Sequence, residues 1–225
     1  MRRADELRTK ADLMRAFLSE GSPRVLLAAS AVALSARLAV GGWGWVDALV
    51  VGLTVLAVGP VEWLLHLRLL HADDDAWTTR TLRTGRGHRR HHLDPPDIEW
   101  LLLRTHDAVI YSGAIAVASA LWVVPATFAL GALAPGVGVL GPLLTAIGGA
   151  YLALTHYEFT HLLEHSRYRP TTRYYRRLVR NHRLHHYRNE LHWLGVTSNL
   201  GDRVLGTLPA NRADVPLSDT ARTLS

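Results

Sequence analysis

The chain has 225 residues, of which 48% are hydrophobic and 20% are charged, and its formal net charge is +6. This length suits one domain with a sizeable core. The lack of cysteine excludes disulfides, thiolate zinc sites and cysteine-ligated iron–sulfur clusters. A basic soluble protein would suggest a nucleic-acid partner, but here long uncharged stretches separate the charges, which predicts a membrane protein that binds no nucleic acid.

Residues 1–24 are predicted to form an amphipathic segment at the membrane interface. Leu7, Ala11, Met14 and Leu18 follow one another at helical spacing among charged residues, which is typical of a helix lying on a membrane surface. The alternative is an ordinary solvated helix. We expect no cleavable signal peptide, because the first apolar run begins too late in the chain.

Residues 25–65 form the first long apolar stretch and carry only three charges, on Arg37, Asp47 and Glu62. Glycines and two tryptophans interrupt this stretch at 41–45, and tryptophan is frequent where membrane helices meet water. Since about 20 apolar residues cross a bilayer, the stretch predicts a hairpin of two spans.

The second apolar stretch lies between Asp107 and Glu158, where fifty residues include no Asp, Glu, Lys or Arg. Glycine and proline residues interrupt it at 131–138. It therefore predicts a second hairpin, with spans at 108–130 and 138–156. The alternative is a soluble, all-helical globule with buried helices.

The distribution of the arginines predicts the orientation in the membrane. Basic residues are concentrated at 2–24, 68–104 and 167–188. The two predicted turns, at 41–47 and 131–138, contain none. By the positive-inside rule the turns face outward, and the termini and the segments between the hairpins face the cytoplasm. Arg37 is the exception, and we expect it to snorkel toward the outer interface.

Ten of the thirteen histidines lie in four clusters. These clusters are His66 and His71; His88, His91 and His92; His161 and His165; and His182, His185 and His186. Side chains three and four positions apart share a helix face, so His88, His91 and His92 can converge on one point. His66 and His71 are five apart, roughly 140° around a helix, and need a distorted turn or two different targets.

The clusters repeat in the two halves of the chain. A shift of 94 positions places His71, His88, His91 and His92 on His165, His182, His185 and His186. Ten imidazoles exceed what one ion binds, so the repeat predicts two metal ions. Neutral imidazole suits iron, zinc, copper and nickel, which leaves the metal open.

Other metal sites fit the sequence less well. A carboxylate-bridged pair of ions would use Glu-x-x-His motifs, which are not at the right places. Two bis-histidine haems would use four histidines and leave six clustered ones without a role. A structural zinc site would not need to lie at a membrane face.

Several side chains near the clusters are expected to surround the ligands. Glu62, Glu158 and Glu164 are predicted to accept hydrogen bonds from ring N–H groups. His156, Tyr157 and His192 are further candidates for this surrounding layer. His106 is expected to be a hydrogen-bonding anchor at a membrane interface.

Two charged segments have weaker interpretations. The run Asp73-Asp-Asp75 predicts a solvated turn at a helix start. A set of arginines could attract an anionic head group or an acidic electron donor; it comprises residues 86, 89, 90, 176, 177, 180 and 183. The alternative is a solvated basic face touching anionic lipid.

The order H-x4-H, H-x2-HH, H-x3-H, H-x2-HH between membrane hairpins resembles the fatty acid hydroxylase / sterol desaturase superfamily of integral-membrane di-iron enzymes. The resemblance covers residues 45–208, and the cluster spacing is closer to fatty acid 2-hydroxylases than to carotenoid hydroxylases. Matching motifs include Gly87-His88, Tyr157-x-x-Thr160-His161, Leu194-Gly195-Val196-Thr197-Ser198 and Leu205-Gly-Thr207. Gly201-Asp202 departs from the Trp-Asp that relatives often have.

The resemblance implies that all ten clustered histidines bind two irons, although zinc can occupy imidazole sites in a purified sample. It implies an enzyme that uses O₂ to hydroxylate an unactivated C–H bond of a lipid. Because no fused cytochrome b5 segment is recognised, electrons are expected from a separate ferredoxin, cytochrome b5-like protein or reductase. The alternatives are a lipid or sterol desaturase, a carotenoid hydroxylase, or a metal-binding membrane transporter, although the spans offer almost no polar path.

The predicted fold is an all-α membrane protein. Four transmembrane helices in two hairpins carry a cytoplasmic helical cap that holds the di-metal site. The membrane domain is expected at 25–208, and residues 209–225 are predicted to form a flexible tail.

Overall fold

The computed structural model describes residues 3–73, 75–82, 84–133, 136 and 138–218. The described residues form ten α-helices: α1 Lys10–Ser19, α2 Gly21–Val40, α3 Trp45–Leu65, α4 Trp77–Leu82, α5 Thr84–Leu93, α6 Ile98–Leu101, α7 Thr105–Leu133, α8 Leu140–His165, α9 Arg173–Tyr187 and α10 Leu200–Leu205. A π-helical turn, His66–Leu70, continues α3, and short 3₁₀ turns lie at Ala4–Glu6 and Arg212–Asp214. The predicted all-α architecture is confirmed. Parts of the predicted turns at 73–75 and 131–138 lie outside the described residues.

The chain divides into two compact units, each assembled from separate stretches. The first unit contains the described residues of Met1–Phe17, Val58–Leu102 and Tyr157–Ser225. The second unit contains Leu18–Ala57 and Leu103–His156. All ten clustered histidines belong to the first unit.

Within the described ranges, three segments are long and apolar enough to cross a membrane: Gly21–Val40, Trp45–Leu70 and Ile98–Ala132. They cover the first three predicted spans. The fourth predicted span, 138–156, overlaps the helix α8, which begins at Leu140, but is not one of these three segments. Four spans, their pairing in hairpins and their cytoplasmic orientation therefore stay predictions.

In the second unit, the guanidinium of Arg37 reaches residues of the predicted turn at 41–47 but is fully buried there, so its predicted position at the outer interface stays a prediction. Its Nη2 lies 2.9 Å from Asp47 Oδ1, and its Nε donates to the Oγ1 of Thr145 at 3.0 Å. Nη1 donates to the carbonyl of Gly41 at 2.6 Å, and the guanidinium stacks 3.7 Å from the ring of Trp43. A buried charge is costly unless paired, and Asp47 supplies the pair at the start of α3.

In the first unit, α1 packs into a hydrophobic core with residues of α6 and α8. The buried face of α1 carries Leu13, Ala16 and Phe17, whereas Met14 and Leu18 of the predicted face are 44% and 45% exposed. Apolar side chains occupy positions 13, 14, 17 and 18, so two neighbouring faces of the helix are apolar. The face with Leu13 and Phe17 packs in the core. The role of the face with Met14 and Leu18 at a membrane interface stays a prediction.

Part of the predicted flexible tail at 209–225 contacts the end of α9, although most of its described residues are exposed. Arg188, at the end of α9, donates from Nε to the carbonyl of Val215 at 2.8 Å. The backbone N–H of Ser218 donates to the carbonyl of Arg188 at 2.9 Å, and Val215 is buried. Residues 219–225 lie outside the described residues.

Candidate metal centre

The π-helical turn at the end of α3 places His66 and His71 on one side of the chain. The N–H of His71 donates to the carbonyl of His66, five residues earlier, at 3.0 Å. The two rings are stacked, with centroids 5.1 Å apart and planes at 18°. Because the π-helical turn is wider than an α-helical turn, His66 and His71 point in nearly the same direction, whereas an ideal α-helix would separate them by roughly 140°. The structure thus adopts the distorted turn, the first of the two predicted alternatives.

In the described part of the chain, the ten histidines form two groups in which five ligand nitrogens lie within 4.8 Å of one another. The first histidine group contains His66, His71, His88, His92 and His185. The second histidine group contains His91, His161, His165, His182 and His186. All ten predicted ligands are therefore brought together, five around each of two points.

Each group takes one histidine from the other half of the chain. His91 leaves its neighbours His88 and His92 and joins the second group, and His185 joins the first group in the corresponding way. The prediction that His88, His91 and His92 converge on one point is therefore wrong. Adjacent helix residues point about 100° apart, so the first and last histidines of H-x2-HH share a direction and the middle one turns toward the opposite helix.

The inward-facing atoms are the Nε2 nitrogens. In the first group, Nε2 of His88 lies 3.1 Å from Nε2 of His66, of His71 and of His92. In the second group, Nε2 of His182 lies 2.8 Å from that of His165 and 3.0 Å from that of His186. Any assignment of this site must account for such short distances between ring nitrogens.

The outward-facing nitrogens show that several Nε2 atoms carry lone pairs. Nδ1 of His66 donates to the carbonyl of Leu194 at 2.6 Å, and Nδ1 of His185 donates to the carbonyl of His192 at 3.0 Å. In the second group, Nδ1 of His161 donates to the carbonyl of Leu101 at 3.1 Å. A neutral imidazole has one N–H, so these three rings present an unprotonated Nε2 to the centre of their group.

The imidazoles of α5 and α9 are held neutral. Burial, followed by the neighbouring imidazoles, lowers the pKa of each well below its ordinary value; the rings are those of His88, His91, His92, His182, His185 and His186. Neutral imidazole is the metal-binding form. A neutral imidazole carries only one N–H. The buried, neighbouring ring nitrogens therefore have too few protons for every close nitrogen pair to form a hydrogen bond.

This donor set fits two metal ions, one in each group. Nitrogens bound to one ion at about 2.0–2.1 Å and at right angles to each other lie about 3 Å apart, which matches the separations around His88 and His182. A cation between converging lone pairs also removes their mutual repulsion. Nε2 of His161 is buried without a hydrogen-bond partner, as expected for an atom that faces an ion.

The predicted surrounding residues have different roles. Oε2 of Glu164 lies 3.5 Å from Nδ1 of His182, and both side chains are buried, but neither atom makes a hydrogen bond, so the predicted contact between this carboxylate and a ring N–H stays a prediction. The ring of Tyr157 lies 5.7 Å from that of His161. His192 contributes its carbonyl to His185, whereas its own ring lies 3.4 Å from Asn189 Oδ1.

Glu62 does not hold an imidazole N–H as predicted. Its carboxylate accepts hydrogen bonds from the backbone N–H of Thr197, at 2.9 Å, and from the Thr197 hydroxyl, at 3.0 Å. Glu158 is also buried in the first unit, and His156 lies in the second unit, outside both histidine groups. The ring N–H contact predicted for Glu158 and the surrounding role predicted for His156 stay predictions.

Three backbone carbonyls and one carboxylate were missed. Leu101, His192 and Leu194 act through their carbonyls, which every residue has, so no side-chain pattern could identify them. Asp202 is buried and accepts hydrogen bonds from the N–H groups of Leu194 and Gly195. A single aspartate beside a glycine turn was the available signal.

The predicted arginine surface is exposed. The seven arginines at 86, 89, 90, 176, 177, 180 and 183 lie on α5 and α9, the helices that carry the H-x2-HH motifs, and all are exposed. Arg89 and Arg183 occupy equivalent places, directly after His88 and His182. On each of these two helices, the arginines therefore lie on the exposed face and the imidazoles lie on the buried face.

Two known proteins are similar to this chain, one in sequence and one in fold. Dihydroceramide fatty acyl 2-hydroxylase FAH2 of Arabidopsis thaliana is 28% identical over 167 residues, which are 73% of this chain and 62% of that protein. The chain thus spans less than two thirds of that relative. Full-length scs7p, of which only the hydroxylase domain is visible, superposes with a TM-score of 0.61 at 24% identity, over 92% of this chain and 69% of that chain. This superposition shows a common fold.

The predicted family resemblance is confirmed, including its likeness to fatty acid 2-hydroxylases. The family described as fatty acid hydroxylase matches residues 49–207, a range that includes all ten clustered histidines. The chain belongs to the fatty acid hydroxylase family.

Proposed function

We propose that the protein is a membrane-bound non-haem di-iron monooxygenase that hydroxylates an unactivated C–H bond in the acyl chain of a lipid. The observation that carries this proposal is the pair of buried groups of five imidazoles, whose Nε2 atoms converge at about 3 Å. Family membership and the fatty acyl 2-hydroxylase named above support the substrate class.

All ten clustered histidines would hold the two irons, five around each. When bound, the iron pair supplies redox chemistry in which O₂, two electrons and two protons convert C–H to C–OH and release one water. The chain's own contribution is placement: the carbonyls of Leu101, His192 and Leu194 fix three rings so that Nε2 faces inward. Burial of the rings keeps them neutral and excludes bulk water from the centre.

The membrane topology is part of the same proposal. Four spans would place the termini and the metal centre on the cytoplasmic side, which the arginine-free turn at 41–47 and the arginine-rich segment at 68–104 support. Electrons would come from a separate ferredoxin, cytochrome b5-like protein or reductase. The exposed arginines of α5 and α9 support an acidic donor.

The experiment is an isotope test on detergent-purified protein loaded anaerobically with Fe²⁺. The protein is incubated with a reductant system, a dihydroceramide and ¹⁸O₂, and the lipid is analysed by mass spectrometry. We expect a hydroxylated acyl chain that carries ¹⁸O, and fragmentation identifies the carbon. His88→Ala should abolish the product, whereas His106→Ala, in an exposed side chain outside both groups, should retain it.

Other outcomes would contradict the proposal. Loss of two hydrogens without ¹⁸O incorporation would identify a desaturase. Fewer than two metal ions in each wild-type chain would contradict the di-iron centre. Metal flux into liposomes without lipid oxidation would favour a transporter.

A further inference from the structure

A buried carboxylate on α10 is linked to a metal-ligand candidate through one peptide group. Oδ2 of Asp202 accepts a hydrogen bond from the N–H of Gly195 at 2.8 Å. The carbonyl of the same peptide group belongs to Leu194 and accepts from Nδ1 of His66 at 2.6 Å. We infer that Asp202 is a positioning residue that fixes His66 as an inward-facing ligand of the first histidine group.

The planarity of the peptide bond carries this inference. The N–H and C=O of a trans peptide point in opposite directions in one plane. Holding the N–H of Gly195 on Asp202 therefore aims the carbonyl of Leu194 away from Asp202, toward His66. A hydrogen bond from this N–H to a carboxylate also polarises the carbonyl, which strengthens its acceptance from the imidazole.

The backbone around this peptide permits little movement. Oδ1 of Asp202 accepts from the N–H of Leu194 at 2.8 Å, so both N–H groups on either side of Leu194 are held by one carboxylate. A Cβ at position 195 would lie 2.0 Å from the carbonyl oxygen of Ser198. Position 195 therefore requires glycine, and the turn closes tightly over the peptide group.

The helix α3, which ends one residue before His66, also holds the segment that contains Asp202. Nε1 of Trp63 donates to Oγ1 of Thr207 at 2.8 Å, and the Thr207 hydroxyl donates to Oδ1 of Asp202. A Cβ on Gly201 would lie 2.5 Å from the carbonyl oxygen of Gly59, so α10 packs directly on α3. The place where relatives often have tryptophan is thus filled by backbone, and these contacts tie the segment of Asp202 to the helix that leads to His66.

The hydrogen-bond pattern requires a carboxylate at position 202. Its two oxygens accept from two backbone N–H groups and from one hydroxyl. An asparagine has the same shape but only one acceptor oxygen, and its NH₂ group would face an N–H donor. Asp202→Asn therefore removes at least one of the two acceptors that hold the N–H groups of Leu194 and Gly195, and it loosens the backbone around Leu194 with almost no change in volume.

This inference rests on the proposed metal centre, and its test is a binding measurement. Detergent-purified, metal-free full-length chains of the wild type, Asp202→Asn and the charge-matched control Asp214→Asn, at an exposed site, are titrated with Co²⁺. The visible spectrum and competition with a chelator give the affinity of each of the two groups. Loss of an outer partner of a metal-binding histidine lowers affinity about 10–100-fold, and we expect this loss in one group only, with the other group and Asp214→Asn unchanged.

A double-variant experiment separates positioning from general stability. In a His66→Ala background, Asp202→Asn should weaken the affected group no further, because its effect acts through His66. An additional loss in that background, or equal losses in both groups, would overturn the inference, as would two unchanged affinities. If the wild type bound fewer than two Co²⁺ ions, the proposed function itself would fail.

A second variant covers a folding defect in Asp202→Asn. Thr207→Val removes the hydroxyl that donates to the carboxylate and accepts from Nε1 of Trp63, and it leaves the backbone contacts in place. It should lower the affinity of the same single group by a few-fold, about the effect of one weakened hydrogen bond. An unchanged affinity in Thr207→Val would then count against the inference.

Discussion

Removing His66 together with His185 should weaken one metal site strongly and leave the other intact. These two residues come from opposite halves of the chain, but their rings belong to the first histidine group, with centroids 4.6 Å apart. The double variant His66→Ala, His185→Ala leaves three imidazoles in that group and five in the other. A matched double variant, His66→Ala, His91→Ala, leaves four imidazoles in each group.

The expected magnitudes distinguish the two variants. Loss of a partner outside the ligand shell already lowers metal affinity about 10–100-fold, or roughly 1.4–2.8 kcal/mol, and loss of a ligand itself should cost at least this much. The first double variant should therefore lose at least about 100-fold at one site and nothing at the other. The second should lose at least about 10-fold at both sites.

The measurement is a Co²⁺ titration of metal-free protein against a competing chelator, with metal content counted by mass spectrometry. His106→Ala, outside both groups, is the control for loss of an imidazole. Melting temperatures of the metal-free proteins identify any variant that is unfolded by the cavities left behind. If the reverse pattern appeared, with both sites weakened in the first variant and one site in the second, the histidines would be grouped by sequence half and the exchange would be refuted.

Three further measurements test other parts of the structure. Asp47→Asn should lower the free energy of unfolding by about 3–5 kcal/mol, because it leaves the buried Arg37 without its counter-charge; a thermal melt in detergent unchanged from the wild type would contradict this. Gly195→Ala should destabilise the turn and weaken one metal site, since its Cβ would lie 2.0 Å from a carbonyl oxygen; equal Co²⁺ affinities in the variant and wild type would show that the turn can relax. Metal-free protein should lose stability as the pH falls below about 6.5, because burial lowers the pKa of imidazoles such as that of His88, so that only the unfolded chain takes up protons there. A flat unfolding free energy between pH 7 and 5, measured by denaturant titration, would argue against neutral buried rings.

The sequence predicted the parts of the site that depend on local geometry. Helical spacing identified the H-x2-HH motifs, and the five-residue separation of His66 and His71 required a distorted turn, which the structure has. The exchange of His91 and His185 was not predictable, because helical spacing gives the direction of a ring but not the helix that lies opposite. The carbonyl of Leu194 could not be identified either, since a backbone group leaves no trace in residue type.

In the fold, too, features that depend on nearby residues were predicted, and features that depend on distant residues were not. The apolar stretches and their interruptions gave the helices α2, α3 and α7 closely. Arg37 pairs with Asp47 and also donates to Thr145, more than a hundred residues away, and nothing in the sequence indicated this distant contact. In α1, two adjacent apolar faces compete, and only the positions of α6 and α8 decide that Leu13 and Phe17 are buried.

Because each histidine group contains residues from both halves of the chain, metal binding would hold the two halves of the first unit together. Neither half of the chain supplies five imidazoles to one point, so each ion would join the segments around α5 to those around α9. A ligand that binds only the folded state stabilises it by about 2.7 kcal/mol when its concentration is 100 times the dissociation constant, and two ions double this. Without a cation, the inward lone pairs of rings such as His66 and His185 repel each other in a buried site. An arrangement that binds two metals in this way would therefore also destabilise the metal-free fold, and both effects would make the stability of the protein depend on its metal content.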